Sequence, residues 1–363
     1  SLKMETTPVT PIQSTSAQRG RSIARQALAL VFRFQSLFGL IIVILLAIYF
    51  SPIRDGNRIF VSQRNLSNVS RDVAETGILA TGMLFVILVG GIDLSVGSVV
   101  ALTATTTGLL LMRSQTISIP LLGDIELTRL PAEQTILLVL GLGLVIGWWN
   151  GWTAERFRIP SFVTTLAMLS IARGIAHIWS DNIAVPISYK AGGADPSFEI
   201  LRTRIYNEII PVPALIMFGS AIVMALVLHY TPFGRYIYAI GGNQTASRMS
   251  GLAVTRIKIA AFMICGFFAS MAGIVHAAQL NQGSPNEGMN YELNAIAAVV
   301  IGGASLAGGK GTIVGAIAGA FILSIISNML SLNNVESNTQ LVVKGLITVG
   351  AVALQQFRPP EVE

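Results

Sequence analysis

The chain has 363 residues, of which 52% are hydrophobic and only 12% are charged, whereas soluble domains contain about 25% charged residues. So few charges cannot cover the surface of a water-soluble domain, and the composition therefore predicts that lipid is the main solvent. The formal net charge of +6 comes from basic residues scattered between apolar runs, which argues against a nucleic-acid-binding patch.

The first 35 residues are polar, basic and rich in Ser, Thr and Pro, which predicts a flexible cytoplasmic tail rather than a secretory signal. A spanning helix needs about 20 mostly apolar residues, and about ten apolar runs approach or reach this length. They are Ser36–Phe50, Val73–Val89, Val96–Met112, Gln134–Trp152, Phe162–Trp179, Pro211–His229, Ile259–Gln279, Tyr291–Ile301, Ile313–Leu332 and Thr339–Leu354. The sequence predicts an all-α, polytopic membrane protein, with a transmembrane domain at 36–355 and a cytoplasmic C-terminal tail at 356–363.

An even number of spans places both termini on one side of the membrane. Because Lys and Arg are enriched in cytoplasmic loops, we place the basic N-terminal tail, the Arg156/Arg158 turn and the loop 231–258 in the cytoplasm. The arginines between Arg54 and Arg71 then lie outside and oppose this assignment. An amphipathic helix at the membrane surface over Arg58–Arg71 would reduce the conflict.

A faint internal repeat is visible in two of the spans. Gly143 and Gly147, four positions apart, precede Asn150, and Gly315 and Gly319, also four positions apart, precede Asn328. Five predicted helices separate the two copies, so the repeat predicts two five-helix halves that are inverted in the membrane, as in many transporters. Gly141, Gly143 and Gly147 form one stripe of small residues, and Gly311, Gly315 and Gly319 form a second. Tight packing of helices through small residues is sufficient to explain most of these glycines.

The segment Thr231–Lys258 is the longest polar and basic interruption that has an internal pattern and lies between two clear apolar spans. It contains no acidic residue. Asn243 suits a helix N-cap and Gly251 suits a helix end, so we predict a short helix from Asn243 to Ser250. We interpret this loop as the place where another protein does work on the chain.

Asp93 is the one acidic residue flanked on both sides by spanning sequence. A buried acid in a membrane needs a partner, and Gly90, Gly91 and Gly97 allow the helix to break around it. The break serves as a hinge or gate in one interpretation, and as a proton or cation site in another. Capping preferences favour a third interpretation, in which Asp93 caps the following helix.

No motif in the chain indicates bound nucleotide, metal or catalysis. The segment Gly303–Thr312 resembles a phosphate-binding loop, but its register differs from G-x-x-x-x-G-K-[ST] and no strand precedes it. His177, His229 and His276 are isolated near predicted helix ends, without metal-ligand spacing. The single cysteine, Cys265, can form no intrachain disulfide. We therefore expect no cofactor on this chain.

Uncharged polar side chains within the spans could hydrogen-bond to a neutral polyol on its way through the membrane. They are Asn150, Thr164, Thr165, Gln279, Asn294 and Asn328. For each of them a hydrogen bond between helices is at least as good an explanation.

Four motifs together resemble one family. They are GGIDLSVGS at 90–98, PSFVTTL at 160–166 with Arg173-Gly174, GRYIYAIGGNQTASRMSG at 234–251, and GGASLAGGKG at 302–311. These motifs are similar to those of the permease subunits of bacterial ABC importers for monosaccharides, of the ribose, xylose, arabinose and galactoside type. The resemblance runs from about Ile78 to Leu354, with small departures at Ala304 and Gln244-Thr245.

The resemblance implies a multi-pass protein of the bacterial inner membrane that imports a pentose or hexose. It implies three partners: a second permease copy or a homologous permease, a cytoplasmic ATPase subunit that binds ATP and Mg, and a periplasmic sugar-binding protein. It places a coupling helix for the ATPase at Gly241, Gly242, Asn243, Ala246, Arg248, Ser250 and Gly251. Helix breaks that act as gates are expected at Gly90, Gly91, Asp93, Ser95, Gly97, Gly302 and Gly303.

Two alternatives to an ATP-driven importer remain open from the sequence. A secondary sugar transporter would use an ion gradient through Asp93, although the chain lacks a series of buried acids. A membrane scaffold or receptor without transport would leave the pattern of the 231–258 loop and the glycine-rich breaks unexplained.

Overall fold

A computed structural model describes residues 35–54, 56–113, 115–119, 123–127, 129–190 and 193–356. The predicted tail at 1–35, except its last residue, and the predicted tail after Gln356 lie outside the described residues. The described chain is mostly helical. Its helices are α1 (Gln35–Tyr49), α2 (Gln63–Leu88), α3 (Val96–Met112), α4 (Ala132–Phe157), α5 (Ser161–Trp179), α6 (Pro196–Glu199), α7 (Val212–Tyr230), α8 (Pro232–Gly242), α9 (Gln244–Met249), α10 (Val254–Leu280), α11 (Tyr291–Ile301), α12 (Ile313–Leu332) and α13 (Ser337–Gln356).

Each apolar run identified in the sequence lies on one of these helices. Within the described residues, five helices are long and apolar enough to cross a membrane, namely α4, α5, α7, α10 and α12. Three shorter apolar helices accompany them: Ser36–Tyr49 within α1, α3 and α11. The fold is therefore that of a multi-pass helical membrane protein. The count of ten spans and the inverted halves stay predictions.

Several helices extend beyond the apolar runs that revealed them. The helix that holds Val73–Val89 begins at Gln63, where the Ser62 side chain accepts a hydrogen bond from the Asn65 backbone N–H. The span predicted from Ile259 likewise begins at Val254. Hydropathy detects only the part of a helix that is apolar, whereas the hydrogen-bonded backbone continues into polar surroundings. The helical surface segment predicted over Arg58–Arg71 is thus partly the first turns of α2.

Short antiparallel strand pairs lie in the connections between the helices. The pairs are β1 (Ile53–Arg54) with β2 (Asn57–Arg58), β3 (Gln115–Ile119) with β4 (Gly123–Leu127), β5 (Val185–Pro186) with β8 (Gln282–Gly283), and β6 (Arg204–Ile205) with β7 (Ile210–Pro211). Two 3-10 turns are also present, at Ile59–Val61 and Ile200–Arg202. The β5–β8 pair ties two connections that are far apart in sequence, with Val185 opposite Gly283.

The core is centred on α2, in which every residue from Gly77 to Leu88 is buried. Helix α10 packs along both α2 and α4. The close approach of α4 to α10 needs glycine, because a Cβ at Gly143 would overlap the carbonyl oxygen of Gly266 and one at Gly147 that of Phe262. Small residues thus allow helices to meet where no hydrophobic effect drives them together. This confirms the predicted packing role for these two glycines, whereas Gly141 faces open space.

The second glycine stripe also packs one helix on another. A Cβ at Gly315 would overlap the carbonyl oxygen of Gly302, and one at Gly319 that of Ala298. Helix α12 therefore lies directly against the second half of α11 and the turn that follows it. Gly311 is not part of this stripe, because it precedes the first residue of α12.

Candidate functional site

The chain breaks between α2 and α3, where the glycine-rich motif predicted it. Gly90 has φ +74°, a left-handed conformation that favours glycine. Residues 90–95 then run without helix until Val96 begins α3. Of the predicted gate residues, Asp93 and Ser95 are almost completely buried here, at 1% exposure each. The break is therefore enclosed by protein, as irregular backbone in a membrane must be.

Asp93 forms a compact hydrogen-bonded turn at this break. Its Oδ1 accepts from the Ser95 backbone N–H at 2.9 Å and from the Ser95 hydroxyl at 2.6 Å. Asn150 on α4 donates its amide to the Ser95 hydroxyl at 2.9 Å, and the Cys265 thiol on α10 also faces the carboxyl group. Asp93 therefore closes the turn ahead of α3. The capping interpretation expected Asp93 to accept hydrogen bonds from backbone N–H groups of the following helix. The backbone N–H from which it accepts is that of Ser95, the residue directly before α3.

Helix α5 satisfies the backbone of the break. The Ile92 N–H donates to the Ser161 hydroxyl and the Leu94 N–H to the Thr165 hydroxyl, both at 3.0 Å. Thr164 instead donates to the Ser161 carbonyl within its own helix at 2.9 Å. Two predicted pathway residues, Asn150 and Thr165, are thus parts of the helix break, and both are buried.

The segment predicted to receive work from a partner contains two surface helices, α8 and α9. The Asn243 side chain accepts a hydrogen bond from the Ala246 backbone N–H at 2.9 Å, which confirms the predicted N-cap. Gly251 has φ +82° and follows the C-cap Ser250, which confirms the predicted helix end. On α9, Arg248 is exposed and the apolar side chain of Met249 is 85% exposed.

The segment 231–258, the α2–α3 break and the glycine-rich segment after α11 meet at one point. The Gly309 N–H donates to the Leu88 carbonyl at the end of α2, at 2.9 Å. Gly241 at the end of α8 fits against both groups so closely that a Cβ would overlap them. Tyr238 on α8 donates its hydroxyl to the Gly311 carbonyl at 2.8 Å. Gly242, in contrast, has nothing within 4 Å of a Cβ position.

The predicted break at Gly302 and Gly303 coincides with the end of α11. Gly302 is the C-cap of this helix, and Gly303 has φ +94°. The Ala304 N–H then bonds back to the Val299 carbonyl at 3.1 Å. Gly97, the remaining predicted break residue, lies in the first turn of α3, and a Cβ there would overlap the Gly288 carbonyl.

A cavity of ≈ 1050 Å³ opens beside these elements and has basic groups on its wall. Its lining includes Gly90, Ile92, Arg158, Ser161, Arg248 and Lys258. The Lys258 ammonium group forms an ion pair with Glu155 at 2.6 Å, and both side chains are largely buried. Lys258 is therefore held by α4. The cavity joins the α2–α3 break to α9.

The other polar residues predicted for a pathway lie apart from this region. Asn328 on α12 and Asn65 on α2 exchange side-chain hydrogen bonds at 3.0 and 2.9 Å, which is the interhelical alternative left open for Asn328. Gln279 lies near the end of α10, and its buried Nε2 has no hydrogen-bond partner in the described part of the chain. Asn294 is half-buried on α11.

Sequence reasoning missed one polar cluster, because it interpreted His276 as isolated. His276 Nδ1 lies 3.0 Å from Glu75 Oε2, and its Nε2 lies 3.2 Å from Glu287 Oε2. The Tyr291 hydroxyl donates to Glu75 Oε2 at 3.1 Å. Glu75 is 201 positions from His276 in the chain, so no local spacing could reveal the pair. Among the described residues no group of side chains could hold a metal ion.

The helical fold with several apolar helices and a buried helix break is that of a multi-pass membrane protein. The sequence family described as "Branched-chain amino acid transport system / permease component" matches residues 65–352 of the chain. The chain therefore belongs to this family of permeases.

The matches to individual relatives cover most of each relative and most of this chain. The Ribose import permease protein RbsC of Escherichia coli K12 is 38% identical over 318 residues, covering 88% of this chain and 92% of the relative. RbsC of Haemophilus influenzae is 37% identical, covering 82% and 87%. The Xylose transport system permease protein XylH of Escherichia coli K12 is 33% identical, covering 85% and 88%. No solved structure matches the chain.

Proposed function

We propose that this chain is the transmembrane permease subunit of an ATP-driven ABC importer that moves a monosaccharide into the bacterial cytoplasm. Relatives named for ribose import and xylose transport support a pentose or hexose as the substrate. A partner subunit binds ATP with Mg and hydrolyses it, so this chain is not an enzyme. A periplasmic sugar-binding protein delivers the sugar, and a second copy of the chain or a homologous permease completes the pathway.

The observation that carries this proposal is the construction of the 231–258 segment. Its helix α9 is capped at both ends and presents Arg248 and an 85% exposed Met249. Its neighbour α8 is fixed to the protein by the Gly241 contact and by the hydrogen bond of Tyr238. An exposed face on a firmly seated support is what a rigid-body push from another protein requires.

The same contacts provide a route by which that push reaches the membrane-spanning helices. A displacement of α8 bears directly on Leu88 at the end of α2 and on Gly309, because Gly241 leaves no space at this contact. Leu88 lies just ahead of the break that carries Asp93, and Gly309 follows the break at Gly302 and Gly303. Movement of the partner ATPase therefore biases both breaks together, between inward-open and outward-open packings.

The proposed architecture keeps the boundaries set by the sequence. Residues 36–355 form about ten transmembrane helices in two inverted halves, with tails at 1–35 and 356–363 and the coupling loop 231–258 all in the cytoplasm. The inner membrane is the proposed location, and the basic loops contact lipid head groups. The cavity beside Gly90 and Arg248 is then the cytoplasmic end of the pathway.

The ion-driven alternative gains no support from the surroundings of Asp93. Both hydrogen bonds that its Oδ1 accepts come from Ser95, two residues away. These bonds account for the buried carboxyl group as part of a turn. The alternative remains the second candidate for one reason: burying an acid in a membrane is costly, and such acids usually have a function.

The proposal is tested by reversing one charge on α9. Arg248→Glu is expected to abolish ATP-driven sugar uptake while the protein still inserts, because it places an acid in the docking face. Arg235→Glu, also at an exposed arginine of the segment but on α8, is the matched control. Uptake is measured in cells that lack the native permease but contain the ATPase and the binding protein, and insertion is measured by membrane fractionation.

The expected result is loss of uptake in Arg248→Glu with at least half of the wild-type uptake in Arg235→Glu, at equal amounts of inserted protein. Normal uptake by Arg248→Glu would contradict the assignment of α9 as the coupling helix. Equal loss in both variants would mean that the net charge of the segment matters rather than the α9 face.

A further inference from the structure

The segment Asn281–Asn290, called here the re-entrant segment, turns back into the protein after α10. A Cβ at Gly283 would overlap the carbonyl oxygen of Ala104 on α3, and one at Gly288 would overlap that of Gly97. Along the segment, the contact therefore moves from Ala104, in the middle of α3, to Gly97, in its first turn. The segment thus approaches the end where α3 begins. That end carries the α2–α3 break and the cavity beside α9. The segment therefore runs inward, antiparallel to α3.

Helix α11 completes this return across the protein. It has 11 residues, which at 1.5 Å per residue is about 16 Å, roughly half of a bilayer core of about 30 Å. The first half of the crossing is therefore loop and the second half is helix. Non-helical backbone at this depth is stable only when it is buried in protein or lines a cavity. Discontinuous helices of this kind surround the substrate path in many transporters.

The His276 cluster holds the re-entrant segment in place. His276 on α10 contacts Glu75 on α2 through one ring nitrogen and Glu287 of the segment through the other. Because each ring nitrogen faces a carboxylate, both nitrogens act as donors, which is the imidazolium form. The His276 side chain is only 6% exposed. One charged ring thus joins two helices and the segment.

Arg173 on α5 holds the same segment from the other side. Its guanidinium donates to the backbone carbonyls of Pro285, at 2.7 Å, and of Glu287. It also faces the carboxylate of Glu292 on α11, whose Oε2 lies next to Gly97. The segment is therefore tied by charged groups to α2, α5 and α10 at once.

The surroundings of His276 contain few other charges. Helix α2 contributes Asp72, which interacts with Arg71 and with Arg204, in addition to Glu75. Helix α11 contributes Glu292 and the Tyr291 hydroxyl, and the segment contributes the amide of Gln282, 3.5 Å from Glu287. Helix α3 contributes no charge, because Val96–Met112 contains no ionisable side chain.

We propose that the His276 cluster is a lock that holds the re-entrant segment shut against α3, and that solute passage requires this lock to open. It lies on the part of α10 farthest from the coupling helices, so it closes the pathway at its outer half. The requirement for passage rests on the proposed function, whereas the lock itself does not.

The lock is tested by hydrogen–deuterium exchange of the full chain in lipid nanodiscs, without partners. Glu287→Gln keeps the shape of the side chain and removes its charge, and His276→Gln removes the joining ring. Exchange in peptides covering 281–290 is expected to become at least about tenfold faster in either variant, because one partner of a buried charge cluster is lost. His229→Gln, at an exposed histidine, is the matched control and should leave exchange unchanged.

Peptides covering α9 provide an internal reference and should exchange at wild-type rates in every variant. If His276→Gln fails to fold, Glu287→Gln alone decides, since Glu287 lies in the loop and is 28% exposed. Exchange of 281–290 in Glu287→Gln within about twofold of wild type would overturn the lock.

Sugar uptake with the ATPase and binding protein then separates the two parts of the proposal. Entry of sugar without ATP in the lock variants, together with faster exchange, supports the requirement for opening. Faster exchange with unchanged, fully ATP-dependent uptake would overturn that requirement. If even the wild-type chain moves no sugar with these partners, the proposed function fails, while the exchange result still decides the lock.

Discussion

Gly241→Ala tests whether the junction between the coupling segment and the helix break is as tight as the structure requires. A Cβ at Gly241 would lie 1.9 Å from the Leu88 carbonyl oxygen and 2.3 Å from the Gly309 nitrogen. Both neighbours are backbone, so α8 must move away by about 1 Å to relieve the overlap. Where α8 does not move far enough, the Cβ wedges between this donor and acceptor and weakens the Gly309–Leu88 hydrogen bond, now 2.9 Å long.

The expected cost of this substitution combines two effects. Overpacking costs about 1–3 kcal/mol, and weakening a buried hydrogen bond costs about 1 kcal/mol more. The sum of about 2–4 kcal/mol corresponds to a fall in Tm of about 3–5 °C for a chain of 363 residues, at an unfolding entropy of about 2.1 cal/mol/K per residue. Gly242→Ala is the control, because nothing lies within 4 Å of its Cβ position and alanine is favoured over glycine in a helix by about 1 kcal/mol.

The assay uses the single cysteine of the chain, Cys265, which is buried at 1% exposure. A thiol-reactive fluorescent dye reaches it only on unfolding, so a thermal ramp in detergent gives Tm directly. Gly241→Ala should unfold well below wild type, and Gly242→Ala at or slightly above it. Equal Tm values for Gly241→Ala and Gly242→Ala would refute the tight junction and with it the proposed route from α8 to Leu88.

Two further predictions concern ionisable groups. Asp93→Asn is expected to retain ATP-driven uptake, because an amide oxygen can still accept the hydrogen bonds of Ser95; loss of uptake together with loss of an ion dependence would instead favour the ion-driven alternative. The second concerns the charge on His276, because a free imidazole has a pKa of about 6.5. A His276 released into water therefore loses its proton between about pH 6 and about pH 8, whereas the closed lock keeps it. Exchange of 281–290, normalised to an unstructured peptide, should become faster as the pH rises across this window; a constant rate would contradict the imidazolium assignment.

The apolar runs predicted the helices well, because burial in lipid requires long stretches without charge. They predicted the helix ends poorly. Gln63 and Val254 begin helices whose first turns are polar, and a polar helix turn has the same composition as a loop. Local capping rules succeeded where the partner lies within one turn, as the Asn243 side chain and the Ala246 N–H do.

Long-range partners could not be predicted in the same way. Glu75 and His276 are brought together only by the packing of α2 on α10, and no periodicity connects them. The helix break at Asp93 was found from its glycines, but its partners on α4 and α5 were not identified as such. The sequence marks Asn150 and Thr165 only as polar residues inside apolar helices, and their contacts with the break appear only in three dimensions.

We propose that sugar passes through this chain at the expense of ATP hydrolysed by a partner. Transport is measured in proteoliposomes that contain the chain and the ATPase, with the binding protein and labelled ribose or xylose on the outer side. Sugar is expected to accumulate only when ATP and Mg are present with the ATPase, and not with an ion gradient alone. Accumulation driven by a proton or sodium gradient without the ATPase would contradict this proposal.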